Sequence, residues 1–222
     1  MTSTRPDADS AAADHAQTFI DWTRVNAKAL TTGATVVVVA AAAFWFYDKS
    51  RAIKQANAEK ALSTAKQSIA AGNAPLAQTD LQKVYSQYGS TEAGVEAAML
   101  LAQLNYDAGK YQDGITLLEK ASGSGAAATV QSTLKSLEGD GYAQMGKLTD
   151  AGKQYEDAAA ATNFEAEKAF QLSKAARIYS AAGDTARSRQ LWSQMATDPK
   201  LATMSTEARV RLGELTAAVA KK

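Results

Sequence analysis

The sequence predicts an all-α protein in which a single N-terminal transmembrane helix precedes an α-solenoid of about four helix-turn-helix repeats. Two observations support this fold class. An uncharged stretch covers residues 29–47. After it, glycines recur every 37 residues, which is typical of an array of one repeated supersecondary unit. These glycines are Gly72, Gly109, Gly146 and Gly183.

Other positions share the 37-residue spacing. A small residue stands seven positions before each glycine: Ala65, Ala102, Gly139 and Ala176. Another small residue stands five positions after it: Ala77, Gly114, Ala151 and Ser188. A large apolar residue stands nine positions after it: Leu81, Leu118, Tyr155 and Trp192. An irregular helical bundle, the main alternative, does not explain this shared phase.

Each unit is predicted to be two helices joined at the glycine. Apolar residues recur at spacings of three and four on both sides of Gly109, which indicates helices. A glycine that ends a helix adopts a positive φ angle at low cost. The small residues are expected where two helices cross, and the large residue is expected to fill the space next to the following repeat.

These positions resemble the tetratricopeptide repeat. The third unit matches best, with Gly139, Gly146, Ala151, Tyr155 and Ala158, and the first unit matches least. The spacing of 37 residues exceeds the usual repeat of about 34, and the proline that often closes the repeat is missing. The resemblance implies a stack of helix pairs, and a closing helix is expected from Ser205 to Val219.

The transmembrane helix is predicted from Ala29 to Tyr47. These residues would reach roughly 28 Å as a helix, close to the hydrocarbon thickness of a bilayer. We predict that aromatic residues anchor it and that Gly33, with Ala29, offers a small patch for packing against another span. The predicted anchor residues are Phe19, Trp22, Gly33, Phe44, Trp45 and Tyr47. A cleaved signal peptide and a buried helix are the rival interpretations.

The predicted domains are thus a polar tail and interfacial lead-in over 1–28, the transmembrane helix over 29–47 and the repeat domain over 48–222. Residues 1–13 are expected to be disordered. Residues 14–28 are either the start of the membrane helix or a helix lying in the interface. Four basic residues follow the span closely and two precede it, a bias too small to decide its orientation.

Composition indicates no catalytic chemistry. The chain of 222 residues has a net charge of +1, which argues against nucleic acid as the main ligand. It has no cysteine, and its single histidine, His15, lies in the predicted disordered tail. We therefore predict no enzyme, no metal site and no cofactor.

Three local patterns receive structural interpretations. The carboxylates of Glu138 and Asp140, like those of Glu165 and Glu167, are two residues apart and are predicted to lie on different, solvated sides of a helix. Gly139 and Gly141 are predicted to lie in a helix rather than in a phosphate-binding loop, because no strand precedes them. Residues 122–125 read Ser-Gly-Ser-Gly and are predicted to form a flexible connector.

The resemblance to tetratricopeptide repeats implies a groove lined by the first helix of each repeat. Carried over position by position, its main groove residues are Glu96, Met99, Gln103, Tyr106, Asp107, Asp140, Gln144, Phe170 and Arg177. Ser136, Ser173 and Ser180 complete the set. This surface lacks a row of lysines and asparagines, so capture of an acidic C-terminal tail is disfavoured.

The overall layout also resembles the bacterial inner-membrane family that includes the ancillary subunit of the Sec translocon. The lead-in residues Trp22, Asn26, Lys28 and Gly33 support this resemblance. It implies a cytoplasmic N-terminus, a periplasmic repeat domain, and partners among membrane protein complexes and periplasmic proteins. The expected function is a membrane-anchored adaptor, accessory to a complex such as the protein-export machinery. The alternative is a permanent structural subunit of a respiratory or photosynthetic assembly.

Overall fold

The computed structural model describes residue 18 and residues 21–123 and 128–220, and every regular element in these residues is helical. Residues 21–25 are helical and Asn26 is in a turn. The elements that follow are α1 (Ala27–Ala70), α2 (Ala74–Tyr88), α3 (Glu92–Asp107), α4 (Tyr111–Gly123), α5 (Ala128–Gln144), α6 (Leu148–Ala160), α7 (Glu165–Ala181), α8 (Thr185–Thr197), a short 3₁₀ helix (Pro199–Met204) and α9 (Ser205–Ala220).

The chain divides into two units, Met1–Ile53 and Lys54–Lys222. Helix α1 contributes residues to both of them. In the second unit, residues 54–70 of α1 pair with α2, and the pairs α3–α4, α5–α6 and α7–α8 follow. The predicted all-α array of stacked helix pairs is confirmed, and α9 takes the place of the predicted closing helix.

The four spaced glycines lie at equivalent corners of successive hairpins. Their φ angles are 70° at Gly72, 73° at Gly109, 74° at Gly146 and 84° at Gly183, and within the described residues no other residue has a positive φ. At the first three corners, the N–H of the next residue donates to the carbonyl five residues earlier, as Lys110 does to Asn105 at 2.8 Å. This hydrogen bond defines the Schellman ending of a helix, so the same local chemistry terminates each first helix.

The small and large residues of the 37-residue pattern are all buried. The buried apolar side chains form three successive clusters rather than one central core, and all four large residues of the pattern belong to them. One cluster joins the first two hairpins, one joins the second and third, and one extends from α6 to α9. This arrangement is typical of a repeat protein, in which each hairpin buries its apolar face only against its neighbours.

Gly139 and Gly141 lie inside helix α5, as the sequence predicted, and both contact tyrosines. A Cβ atom on Gly139 would stand 2.6 Å from the Tyr155 ring, and one on Gly141 would stand 2.5 Å from the Tyr106 hydroxyl and 2.7 Å from Ile115. Gly139 therefore allows close packing within the α5–α6 hairpin, Gly141 allows it against the preceding hairpin, and neither forms a phosphate-binding loop.

We expect Gly141→Ala to destabilise the repeat domain by about 1–3 kcal/mol, because the added methyl group overpacks a buried contact. Gly213→Ala in α9 is the matched control, since its Cβ would meet nothing within 4 Å. The control should stabilise the domain by roughly 0.5–1 kcal/mol through helix propensity alone. Urea unfolding of the two variants checks this opposite sign, and destabilisation by both would contradict the packing explanation.

Two sequence predictions need correction. Helix α4 continues through Gly123, so the first half of the predicted connector is helical, and Ser122 exchanges hydrogen bonds with Gln131 at 2.6 and 3.2 Å. Residues 124–127 lie outside the described residues. The carboxylate of Glu138 is fully buried instead of solvated, because its side of α5 faces α4 and α6.

Candidate partner-binding surface

Ion pairs that join successive first helices recur with the same spacing. Lys66 pairs with Glu96 at 2.5 Å between α1 and α3, and Arg177 pairs with Glu207 at 2.8 Å between α7 and α9. Both pairs join residues 30 positions apart, so they occupy equivalent places at the two ends of the array.

The equivalent places in the middle of the array hold different residues. Gln103 and Thr133 replace the ion pair between α3 and α5, and Asp140 and Phe170 replace it between α5 and α7. Gln103, Thr133 and Phe170 are exposed. At these places the middle of this side of the array presents exposed side chains, whereas the ends are bridged by ion pairs. The ion pair that joins α5 to α7, Asp140 with Lys174, has a different spacing of 34 residues.

Asp140 is committed to a cluster that ties α5, α6 and α7 together. Its Oδ1 atom accepts hydrogen bonds from the Tyr155 hydroxyl at 2.6 Å and from Lys174 Nζ at 2.8 Å. Lys174 also donates to Ser136 and lies 4.3 Å from the centroid of the Tyr155 ring. Burial, and secondarily the hydrogen bond to Asp140, raises the pKa of Tyr155 well above its usual value. Lys174 could not be predicted from the sequence, because its role depends on the approach of two hairpins.

The structure separates the predicted groove residues into two groups. Gln103, Asp107, Gln144, Phe170, Arg177 and Ser180 are exposed, and Glu96 and Met99 are half-buried. Tyr106 is only 2% exposed and its hydroxyl donates to the Leu137 carbonyl at 3.0 Å, so it belongs to the core. Ser136 and Ser173 are also buried. These three assignments are corrected: the neighbouring helices cover the side chains.

We call the exposed residues of α3, α5 and α7 in the middle of the array the central surface. It consists of Gln103, Asp107, Thr133, Gln144 and Phe170. Gln103 donates to Asp107 at 3.2 Å, and Phe170, with 47% of its surface exposed, supplies an aromatic ring. An exposed aromatic residue among polar groups has the composition of a protein-interaction surface rather than of a reaction centre.

No group of three or more His, Cys, Asp or Glu side chains within residues 21–123 and 128–220 is arranged to hold a metal ion. Burial also raises the pKa of other tyrosines of the repeat domain. For example, burial and then a hydrogen bond to Glu156 raise the pKa of Tyr179, and Arg187 pairs with the same carboxylate.

Helix α1 is the one helix in the described part of the chain that is long and apolar enough to cross a membrane. Its apolar window is wholly unburied, which fits both a membrane anchor and a signal sequence. The hydroxyl groups of Thr31, Thr32 and Thr35 each donate a hydrogen bond of 2.8 Å to the carbonyl four residues earlier in the same helix.

The predicted anchor residues are exposed where they are described. Trp22, Phe44, Trp45 and Tyr47 all present more than half of their surface, and the space beside Gly33 is open. The Arg51 guanidinium lies 5.7 Å from the centroid of the Tyr47 ring, so a cation adjoins the aromatic residues. Phe19 lies outside the described residues.

Comparison with known proteins identifies the repeat. The sequence profile of the tetratricopeptide repeat-like domain matches residues 21–135 and again residues 59–174. Such domains are typically non-catalytic, and no enzyme family matches. The comparison with curated proteins found no match.

Two solved structures share the fold. One is a crystal structure of the nearly identical TPR-like repeats of a kinesin light chain from Podosopora anserina. It matches with a TM-score of 0.54 and 15% identity, and the match covers 74% of this chain and 92% of that one. The other is its Q17M variant, with a TM-score of 0.53, 15% identity, and coverage of 75% and 93%. At this identity the similarity concerns the fold alone. The family profile, the glycine corners and the stacked hairpins agree, and the chain belongs to the tetratricopeptide repeat-like domain family.

Proposed function

We propose that this protein is a membrane-anchored adaptor that binds other proteins, accessory to a bacterial inner-membrane complex such as the protein-export machinery. The central surface is the observation that carries the proposal, because it leaves Phe170 and its polar neighbours free of internal ion pairs. Tetratricopeptide-like repeats suggest protein partners generally. We also propose that the partner is a membrane complex and that the protein has no catalytic activity.

The anchor makes weak binding sufficient. A span embedded beside a membrane complex raises the effective concentration of the repeat domain near that complex, so a small contact surface reaches useful occupancy. We place the N-terminus in the cytoplasm and the repeat domain in the periplasm, following the resemblance to the Sec-associated family. Protease treatment of intact spheroplasts tests this orientation, since only a periplasmic repeat domain is digested.

We expect Phe170→Ala to reduce co-purification of the partner complex about tenfold or more, as truncating an aromatic hot-spot residue does. Leu76→Ala on α2 is the matched control, because Leu76 is equally exposed at 47% and lies outside the central surface. The measurement is quantitative mass spectrometry of the complex captured with the full chain in mild detergent. Equal losses from both variants, or none from either, would count against the proposed surface.

The anchor has its own prediction. Val38 lies in the middle of the uncharged stretch and is 66% exposed. Val38→Arg should disfavour membrane insertion by roughly 2.5–3.5 kcal/mol, whereas Ile53→Arg, beyond the stretch, should not. The fraction that resists alkaline extraction measures insertion. Recovery of the intact 23.3 kDa chain from membranes supports an anchor, and a shortened chain supports a cleaved signal peptide.

A permanent structural subunit is the second candidate. It predicts a fixed stoichiometry that survives high salt and is insensitive to Phe170→Ala, because a large static interface does not depend on one exposed ring. The adaptor predicts that salt or dilution releases the partner.

A further inference from the structure

A cleft of about 490 Å³ lies at the C-terminal end of the array, between α7, α8 and α9. Its volume falls within the range of small-ligand sites, about 300–1,000 Å³. Apolar contacts are provided by Ala181, Leu215 and the indole of Trp192, and polar groups by Arg177, Ser180, Arg211 and Glu214. Arg177 and Ser180 also belong to the predicted groove, so the cleft adjoins the side of the array that carries the central surface.

Trp192 offers a buried hydrogen-bond donor to the cleft. The residue is only 1% exposed and lines the cleft. Its indole Nε1–H donates to no acceptor in the part of the chain that the structure describes, and it is not among the polar atoms sealed from solvent. A donor that solvent reaches can bond to water, and an acceptor on a ligand can take the place of that water.

The surrounding cations add further donors. Arg177 Nη2 binds both carboxylate oxygens of Glu207, at 2.8 and 3.0 Å, and Arg211 Nη1 binds Glu214 at 2.9 Å. A guanidinium has more N–H groups than these bonds use. Arg189 donates to the Leu215 carbonyl at 3.3 Å and supplies a third positive charge beside the two carboxylates. Arg211 also pairs with Glu207 at 3.5 Å, so the charges of Arg177 and Arg211 are balanced by Glu207 and Glu214, and Arg189 beside the cleft supplies the excess positive charge.

We propose that this cleft binds a short segment of a partner polypeptide in which an aspartate or glutamate side chain adjoins an apolar residue. The carboxylate accepts hydrogen bonds from the Trp192 indole and from Arg211, and the apolar residue packs on Leu215 and Ala181. This proposal rests on the adaptor function and names the chemistry of one partner contact. It differs from capture of a terminal carboxylate by lysines and asparagines, because arginines and an indole provide the donors here.

The indole signals of the ¹⁵N-labelled full chain in detergent micelles provide the test. The chain has three tryptophans, and Trp22→Phe and Trp45→Phe identify by elimination the signal of Trp192. The probes are acetyl-aspartyl-leucine amide, its asparaginyl analogue and sodium acetate, each titrated into the millimolar range. Arg211→Gln removes a cleft donor, and Arg209→Gln, exposed on the same helix and outside the cleft lining, is the matched control.

We expect the aspartyl peptide to shift the Trp192 indole signal saturably. The asparaginyl peptide and Arg211→Gln should each weaken binding about tenfold, the loss expected for one charge-assisted hydrogen bond, and Arg209→Gln should leave it unchanged. No shift, or equal binding of the two peptides, overturns the proposal. Acetate binding as tightly as the peptide overturns the assignment to a polypeptide. If Trp192 fails to respond while Phe170→Ala still releases the partner, the adaptor function stands and this proposal alone fails.

Discussion

Trp192→Ala should lower the free energy of unfolding of the repeat domain by about 3–5 kcal/mol, the usual cost of truncating a buried aromatic residue. Trp192 is the largest fully buried side chain in the described part of the protein, and it belongs to the cluster that joins α6, α7, α8 and α9. Its removal leaves a cavity that neighbouring helices, already packed through alanines, fill poorly.

The loss should be confined to the C-terminal end of the array. Stability in a stack of repeats is approximately a sum of the stability of each unit and its contacts with neighbours. Hydrogen exchange should therefore show lost protection in α7 to α9, while α2 and α3 keep theirs. Trp45→Ala, at an exposed position before the repeats, should change the unfolding free energy by less than about 0.5 kcal/mol. An equal loss of protection in α2 would contradict this account of independent clusters.

Glu138→Leu should stabilise the domain by about 1–3 kcal/mol at neutral pH, since replacing a buried charge with an apolar residue of similar size is often favourable. Glu138 Oε2 binds Lys135 at 2.8 Å, and Oε1 has no hydrogen-bond partner in the described residues. The equivalent positions in the second and fourth repeats hold Leu101 and Ala175, both buried. The substitution therefore places in the third repeat a residue that the second already accommodates.

The stabilisation should depend on pH in a defined direction. Burial raises the pKa of Glu138, the ion pair with Lys135 opposes the rise, and Glu119 and Asp157 add to it. The folded state therefore favours the protonated carboxyl. The stability that the folded state gains from the protonated carboxyl is complete below the unfolded-state pKa of about 4.3. It is lost as the pH rises through the raised pKa of the folded state.

The difference in unfolding free energy between Glu138→Leu and the unmodified chain should consequently be small near pH ~4 and widen toward neutrality. Urea unfolding at several pH values measures it. Glu165→Gln, at an exposed position in the first turn of α7, should change the free energy by no more than about 0.5 kcal/mol at every pH. A constant difference across the pH range, or a less stable Glu138→Leu variant, would show that the burial of this carboxylate is not the cause.

The hairpin corners could be predicted from sequence because their requirement is local. The turn that ends each first helix requires a positive φ at one residue, whatever the rest of the fold, and glycine adopts it at low cost. Gly72, Gly109, Gly146 and Gly183 occupy these positions. The small residues at the helix crossings could be predicted for a related reason: their spacing repeats even where the surrounding residues differ. The 37-residue spacing of the glycines and of the small residues thus predicted both the turns and the contacts between helices.

The candidate site was predicted less completely because exposure depends on neighbouring hairpins. The two-residue spacing of Glu138 and Asp140 correctly predicts that their side chains lie on different sides of α5. It does not predict which side is buried, because that depends on the positions of α4 and α6. Tyr106 matched a groove position, yet the approach of α5 places its hydroxyl on a backbone carbonyl. The spacing of 30 residues between Lys66 and Glu96, repeated in Arg177 and Glu207, was a signal that would have indicated the bridged ends of the array.

Site-specific photocrosslinking in intact membranes tests most directly that the side of the array formed by its first helices is the docking surface. A photoreactive residue at Gln103 or Gln144 probes the central surface, and one at Gln112 or Thr149, exposed near the starts of α4 and α6, probes the second helices. The account predicts that Gln103 and Gln144 crosslink to the same membrane-associated partner and that Gln112 and Thr149 do not. Crosslinks to a partner from Gln112 and Thr149, with none from Gln103 and Gln144, would contradict it.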